Sequence, residues 1–188
     1  MIPIADKIIE KYYAKSSEAY KYLYEHSLSV TNLALRIAER NPQFNLNTEY
    51  LKTAGMLHDI GIFMTHAPGI GCHGKHPYLA HGYLGRALLD KEGLKDVAPV
   101  CERHVGVGLT IADIERDNLP LPKRDMVPMT LVEKVICYAD KFYSKKPKYL
   151  NSPKPLEKIR NKLSKYGPDK RKVFEEFVEM FGWEYIYE

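Results

Sequence analysis

The residues best suited to chemistry in this sequence are histidines and aspartates on the apolar faces of predicted helices. His58 and Asp59 are adjacent and follow the apolar run of residues 54–57. The remaining members lie on separate predicted helices, among apolar residues at helical spacing: His26, His81, His104 and Asp140. Buried polar groups cost free energy unless they have partners. A metal ion is a suitable partner, because neutral imidazole and ionised carboxylate are the forms that bind metals.

Taken one at a time, these residues have simpler explanations. A single histidine on an apolar face is most often a hydrogen-bonded core residue, and a single aspartate such as Asp140 is more often a cap or an ion-pair partner. The metal interpretation is favoured because every predicted core helix carries such a group. Nitrogen and oxygen ligands without a thiolate favour Fe, Mn, Co, Ni or Zn over a structural cysteine-type zinc site.

The elements that must position these groups are nearly all helical. Helical spacing of apolar residues predicts helices over residues 5–14, 17–40, 48–57, 80–91, 94–104, 110–116, 130–143, 156–166 and 169–181. Asn47 is a predicted N-cap, and Thr130 with Glu133 forms a predicted capping box. Residues 61–77 are predicted to be an irregular loop, and no segment alternates like a strand. The sequence therefore predicts an all-α fold.

Composition excludes several classes of protein. The chain has 188 residues, enough for one domain with a short appendage, and its net charge is +4. Its three cysteines are widely spaced and form no CxxC pair, which favours a reducing compartment. The N-terminus lacks the apolar region of a signal peptide, and no run approaches the roughly 20 apolar residues of a membrane span. We therefore expect a cytoplasmic protein without a membrane partner.

The order of the ligand candidates resembles a known family. The H…HD…D signature of the HD-domain superfamily of metal-dependent phosphohydrolases is matched by His26, His58-Asp59 and Asp140, with the HDIG extension through Gly61. His81 and His104 are similar to the two extra histidines of the dinuclear branch, which includes small HDIG proteins. The resemblance covers residues 25–143.

This resemblance implies an HD-domain helical bundle over residues 1–145, with residues 146–188 as a basic linker and a C-terminal helical extension packed on it. It implies one or two divalent ions. The first would be bound by His26, His58, Asp59 and Asp140, and the second by His81 and His104, with Asp59 bridging. A metal-bound hydroxide would attack a nucleotide or another small phosphorylated metabolite, and Asp59 would be essential to that step.

One position departs from the family pattern. Many relatives carry a basic residue directly after HDIG, where it can meet a substrate phosphate, whereas this sequence has Ile62. Candidate replacements are Lys141, Arg103 and Lys75, of which Lys141, beside Asp140, is the preferred catalytic and substrate-binding residue. Glu133 either faces the same site or serves only as the acid of the capping box.

The loop containing His66, Cys72, His73 and His76 has three interpretations. It is a lid that brings a catalytic His66 or a substrate-binding His76 to the pocket, a separate zinc site, or an ordinary surface loop. Its spacing matches no recognised zinc pattern, which disfavours the second.

The segment from residue 145 to residue 172 is rich in Lys and Arg. Such a segment is usually a solvated face, and the alternative is an electrostatic funnel for a phosphorylated substrate. Nucleic acid is disfavoured as a partner, because no aromatic-interleaved platform accompanies the charges. The aromatic C-terminus, residues 181–187, is expected to dock on the core or on another subunit, so a homo-oligomer is an open alternative.

Two other functions fit the same ligand set. Some dinuclear HD proteins are mixed-valence di-iron oxygenases, and a non-catalytic nucleotide-binding module is the third hypothesis. Oxygen consumption by iron-loaded protein would favour the oxygenase. Tight nucleotide binding without turnover would favour the module.

Overall fold

The computed structural model describes residues 3–188, and its regular structure is almost entirely helical. Within these residues the helices are α1 (Pro3–Tyr12), α2 (Glu18–Arg40), α3 (Thr48–Leu57), α4 (His81–Lys91), α5 (Ala98–Arg103), α6 (Ile111–Arg116), α7 (Leu131–Phe142), α8 (Leu156–Ser164) and α9 (Pro168–Phe181). The all-α prediction is confirmed. At 23 residues α2 is the longest. Neither it nor any other described helix combines the length and hydropathy needed to span a bilayer.

Most helix boundaries lie within two residues of the prediction, and two segments differ more. The loop after α3 contains an antiparallel pair of two-residue strands, β1 (His66–Ala67) and β2 (Cys72–His73). The prediction of a wholly irregular loop was wrong at these four residues, because strands this short cannot show period-two alternation. Helix α5 begins at Ala98, four residues later than predicted. Pro99 lies in its first turn, where a residue without an N–H group is tolerated.

The predicted helix caps are confirmed. The Asn47 side chain accepts a hydrogen bond from the Tyr50 N–H at 2.9 Å, at the start of α3. The Thr130 hydroxyl accepts from the Glu133 N–H at 3.2 Å, and the Glu133 carboxylate accepts in return from the N–H of Thr130. These bonds set the starts of the two helices that lead to His58-Asp59 and Asp140.

The centre of the fold is the packing of α2 against α3 and α7. Helix α2 buries Leu23, Val30, Leu33 and Ile37 along one face. His26 shares that face and is only 1% exposed. The hydrophobic effect favours burial of this apolar face of α2 in the core, and His26 is buried with it because it lies on the same face.

The C-terminal helices pack on the same helical body. The Tyr138 ring of α7 contacts the rings of Phe174, Phe177 and Phe181 on α9, with centroids 5.5–6.3 Å apart. The aromatic C-terminus continues this packing, because Ile186 is buried and the Tyr187 ring meets Phe142. It therefore docks on the core of its own chain. The domain boundary at residue 145 stays a prediction.

We expect Phe174→Ala to lower the free energy of unfolding by about 3–5 kcal/mol, because Phe174 is fully buried between Tyr138 and Phe142. Urea denaturation followed by circular dichroism will measure the change. The exposed Tyr166→Ala provides the control and should stay within about 0.5 kcal/mol of the wild type. A similarly small effect of Phe174→Ala would show that α9 contributes little to stability.

Candidate metal centre

Six histidine and aspartate side chains from five helical regions meet inside the fold. His26 projects from α2, and His58-Asp59 directly follow α3. His81 begins α4, His104 directly follows α5, and Asp140 lies near the end of α7. The four histidines and Asp59 are at most 5% exposed. All six predicted ligands are thus brought together, in two groups that share Asp59.

The first group joins His26, His58, Asp59 and Asp140. His26 Nε2 lies 3.0 Å from Asp140 Oδ1 and 3.1 Å from Asp59 Oδ2. His58 Nε2 lies 3.1 Å from the same Asp59 oxygen and 3.7 Å from Asp140 Oδ1. Ligands about 2.1 Å from one ion lie roughly 3 Å from one another, so these separations suit a single coordination sphere.

The second group joins Asp59 to His81 and His104. The Nε2 atoms of these histidines lie 3.2 and 3.4 Å from Asp59 Oδ1 and 3.2 Å from each other. Asp59 therefore presents Oδ2 to the first group and Oδ1 to the second. This arrangement suits a carboxylate that bridges two ions.

Main-chain hydrogen bonds fix which ring nitrogen faces the cluster. The Nδ1 atoms of three histidines contact carbonyl oxygens: His58 to Gly55 at 2.6 Å, His81 to Tyr78 at 2.6 Å and His104 to Cys101 at 2.7 Å. A carbonyl only accepts, so each Nδ1 carries a hydrogen and Nε2 points inward as the potential ligand.

Several buried polar atoms of the cluster lack hydrogen-bond partners among the described residues. One of them is Asp59 Oδ1, the oxygen that faces His81 and His104. In their neutral forms, His81 and His104 also point nitrogen lone pairs at each other. Unpartnered buried groups of this kind are costly, and a divalent cation removes the cost. The residues present therefore fit a metal pair.

The histidines differ in their proton affinity. Burial lowers the pKa of His104 to about 4. Burial, followed by the nearby Lys145 charge, lowers the pKa of His26 as well. Burial also acts to lower the pKa of His58, but Asp59 and Asp140 outweigh it and raise that pKa to about 9. At neutral pH His58 thus carries a proton that a metal ion must displace.

Two lysines balance the carboxylates. Lys141 Nζ lies 2.7 Å from Asp140 Oδ2 and donates to the His104 carbonyl at 3.1 Å. Lys145 Nζ forms an ion pair with Asp59 Oδ2. Burial acts to raise the pKa values of both carboxyl groups, but the nearby positive charges outweigh it. Lys141 has the largest lowering effect on the pKa of Asp140, and Lys145 has the largest on that of Asp59. Both pKa values therefore lie well below their usual range.

Lys145 is the site residue that the sequence analysis missed. It lies five positions after Asp140, beyond the end of α7, in a segment where lysines are frequent. The only sequence signal was this closeness to Asp140. Lys141, which the sequence analysis did select, lies at the cluster as expected, although its catalytic role stays a prediction.

Other predicted site residues lie away from the cluster or have other partners. Arg103 contacts both Glu133 carboxylate oxygens at 2.9 and 3.1 Å, so Glu133 serves the capping box and this ion pair. His66, Lys75 and His76 are exposed on the loop, and no contact with the cluster is described for their side chains within residues 3–188. Their substrate roles stay predictions.

The zinc interpretation of the loop gains no support. Within the described part of the chain, the two groups around Asp59 are the only sets of three or more side chains arranged to hold a metal. Cys72 is buried, whereas His73, its neighbour in β2, is exposed. The remaining interpretations are the lid and the ordinary surface loop.

Gly61 allows the segment after Asp59 to pack against α4. A Cβ atom there would collide with the His81 carbonyl oxygen and would lie 2.6 Å from the Gly85 nitrogen. We expect Gly61→Ala to destabilise the fold by about 1–3 kcal/mol and to weaken metal binding, because the backbone of His81 must move. Thermal unfolding and metal content will measure both effects.

Gly69→Ala is the matched control for this substitution, because a Cβ atom at Gly69 would meet nothing within 4 Å. It should retain the stability and metal content of the wild type. Equal stability and metal content of Gly61→Ala and Gly69→Ala would contradict the proposed role of the close packing of Gly61 against α4.

Comparison with known proteins identifies the family. The sequence profile of the HD domain matches residues 23–144. An uncharacterized protein of Methanocaldococcus jannaschii is 32% identical over 152 residues, which cover 79% of this chain and 82% of that protein. The chain therefore belongs to the HD domain family, and the resemblance inferred from the motifs is confirmed.

Two further relatives are longer proteins. A tRNA (cytidine(56)-2'-O)-methyltransferase of Picrophilus torridus is 28% identical over 149 residues, and that of Thermoplasma volcanium is 34% identical over 128 residues. The matches cover 79% and 67% of this chain, but only 39% and 33% of those enzymes.

Solved structures support the same fold. The HD domain of the L. monocytogenes phosphodiesterase PgpH matches with a TM-score of 0.54 and 14% identity, covering 91% of this chain and 94% of that one. The same domain in complex with cyclic-di-AMP matches with a TM-score of 0.53 and 15% identity, covering 95% and 98%. At this level of identity the likeness establishes the fold alone.

Proposed function

We propose that this protein is a metal-dependent phosphohydrolase that binds two divalent ions and acts on a nucleotide or another small phosphorylated metabolite. The observation that carries the proposal is the position of Asp59. Its two carboxylate oxygens face separate groups of buried ligands. A shared carboxylate of this kind suits a pair of ions bound side by side.

Two divalent ions, when bound, lower the pKa of water and stabilise the charge that develops on phosphoryl oxygens. The chain contributes the positioning. Carbonyl oxygens orient the rings of His58, His81 and His104, as metal ligands require. In this proposal Lys141 holds Asp140 in place and adds positive charge for an anionic substrate.

The relatives make nucleotides the first substrate class to test. Two of them are named as tRNA methyltransferases, and the PgpH HD domain has been crystallised with cyclic-di-AMP. Each name involves a nucleotide or a nucleic acid. These names describe the relatives, and the substrate of this chain is proposed from them together with the basic residues at its site.

The test begins with metal analysis of protein purified without chelators. A panel of nucleotides and small phosphoesters is then assayed with Mn²⁺, Co²⁺ and Ni²⁺. We expect phosphate release or diester cleavage that requires the metal and is lost on chelation. Fully loaded protein that turns over no phosphoester would contradict the proposal. Oxygen uptake by iron-loaded protein would favour the oxygenase, and tight nucleotide binding without turnover would favour a binding module.

A further inference from the structure

Lys145 places an ammonium group against the carboxylate shared by both ligand groups. Its Nζ contacts Asp59 Oδ2, the oxygen that also faces His26 and His58. The side chain is 10% exposed, and Nζ lies 5.9 Å from the centroid of the Tyr78 ring. The lysine therefore occupies one edge of the candidate metal centre, and part of its side chain remains accessible to solvent.

The ammonium group and a metal ion require the same oxygen. Asp59 Oδ2 is a ligand atom of the first group, and the Lys145 charge already neutralises it. Two cations at one carboxylate oxygen repel each other strongly at such short range, particularly in a buried site. Binding of a metal must therefore weaken the pair between Lys145 and Asp59.

Charge balance indicates what Lys145 contacts next. Asp59 and Asp140 are the carboxylates of the two ligand groups, and Lys145 and Lys141 already balance them. Charge that divalent ions add must therefore be balanced by anions from solution. A nearby amine, Lys154, donates to the carbonyls of Lys141 and Tyr143, but burial lowers its pKa to about 7, so it contributes little positive charge at pH 8.

We propose that Lys145 neutralises Asp59 in the metal-free protein, yields that oxygen to the metal, and then binds the phosphoryl group of a substrate. The excess of positive charge points to a dianionic phosphomonoester over a monoanionic phosphodiester. This inference rests on the proposed function and narrows its substrate class. It also supplies the phosphate contact that Ile62 cannot provide.

The experiment uses Lys145→Met, which removes the charge, and Lys145→Arg, which keeps it. The neighbouring exposed Lys146→Met is the matched control. Calorimetry first measures the affinity for Mn²⁺ alone. It then measures the affinity of Mn²⁺-loaded protein for inorganic phosphate and for dimethyl phosphate at pH 8, where most inorganic phosphate is dianionic.

We expect Lys145→Met to bind Mn²⁺ about tenfold more tightly and inorganic phosphate about tenfold more weakly than the wild type, since a charge-assisted hydrogen bond has roughly this effect. Lys145→Arg should retain phosphate binding, and Lys146→Met should match the wild type in both. Wild-type protein should bind inorganic phosphate in preference to dimethyl phosphate.

Unchanged phosphate affinity in Lys145→Met would overturn the contact, and weaker Mn²⁺ binding would show that the lysine only supports the fold. Equal binding of the two phosphates would overturn the assigned substrate class. Should Lys145→Met not fold, loss of phosphate binding in Lys145→Arg would overturn the proposal. These measurements need no turnover. A protein that gives the expected affinities but hydrolyses no ester would contradict the proposed function and leave the proposal for Lys145 intact.

Discussion

Asp59→Asn is expected to remove both metal ions and to reduce phosphohydrolase turnover by more than about 100-fold. Substitution of residues that only orient metal ligands typically lowers metal affinity or activity by about 10–100-fold, so substitution of a ligand shared by both groups should lower them further. Asparagine keeps the shape of the side chain but lacks its negative charge, and one of its two terminal atoms is an N–H donor. Both ligand groups would therefore be damaged by one substitution.

Metal analysis after dialysis, together with phosphate release, will measure these effects. Asp90→Asn is the matched control, because Asp90 has an exposed side chain and only a 3.8 Å contact with Arg86. It should keep the metal content and turnover of the wild type. Two ions retained by a correctly folded Asp59→Asn variant would contradict the bridging role.

The apparent affinity for metal is expected to fall about 50-fold between pH 9 and pH 7, because half of the His58 rings are already protonated at pH 9. The pKa of His58 is raised to about 9, so the metal-free protein holds a proton on this ring below that pH. Metal binding requires the neutral ring, so each pH unit well below 9 costs about tenfold in affinity. The pKa of His104 is about 4 and that of His26 is lowered, so neither contributes over this range.

Chelator competition at pH 7, 8 and 9, corrected for protonation of the chelator, will give the slope. Calorimetry at pH 7 in buffers of different ionisation enthalpy should detect roughly one proton released from His58. The exposed His73→Gln should leave the slope unchanged. An affinity independent of pH would show that His58 is already neutral in the metal-free protein.

Much of the fold could be predicted because the responsible interactions are local. The stripe on α2 repeats at helical spacing, and its burial places His26 inside. The caps at Asn47 and Thr130 are hydrogen bonds between residues three apart. Boundaries failed where local signals were weak or conflicting, as at Pro99 and in the two-residue strands.

The contacts of the charged residues were less predictable. Arg103 was a candidate for binding phosphate, but its guanidinium group pairs with Glu133, thirty positions away along the chain. The choice of partner depends on how α5 packs against α7, which no local pattern specifies. The roles of His66, Lys75 and His76 remain open for the same reason, since they depend on how substrate approaches the loop.

By itself the sequence determined the helices, the six ligand candidates and the family, because each depends on local periodicity or on the order of motifs. Only the tertiary structure decided which oxygen of Asp59 faces each ligand group and that Lys145 contacts this carboxylate across 86 positions of sequence. The physical reason is that these contacts depend on how the segment after α7 packs against the other helices, which no local sequence pattern specifies. This packing places two opposite charges in a buried site, in which they interact strongly.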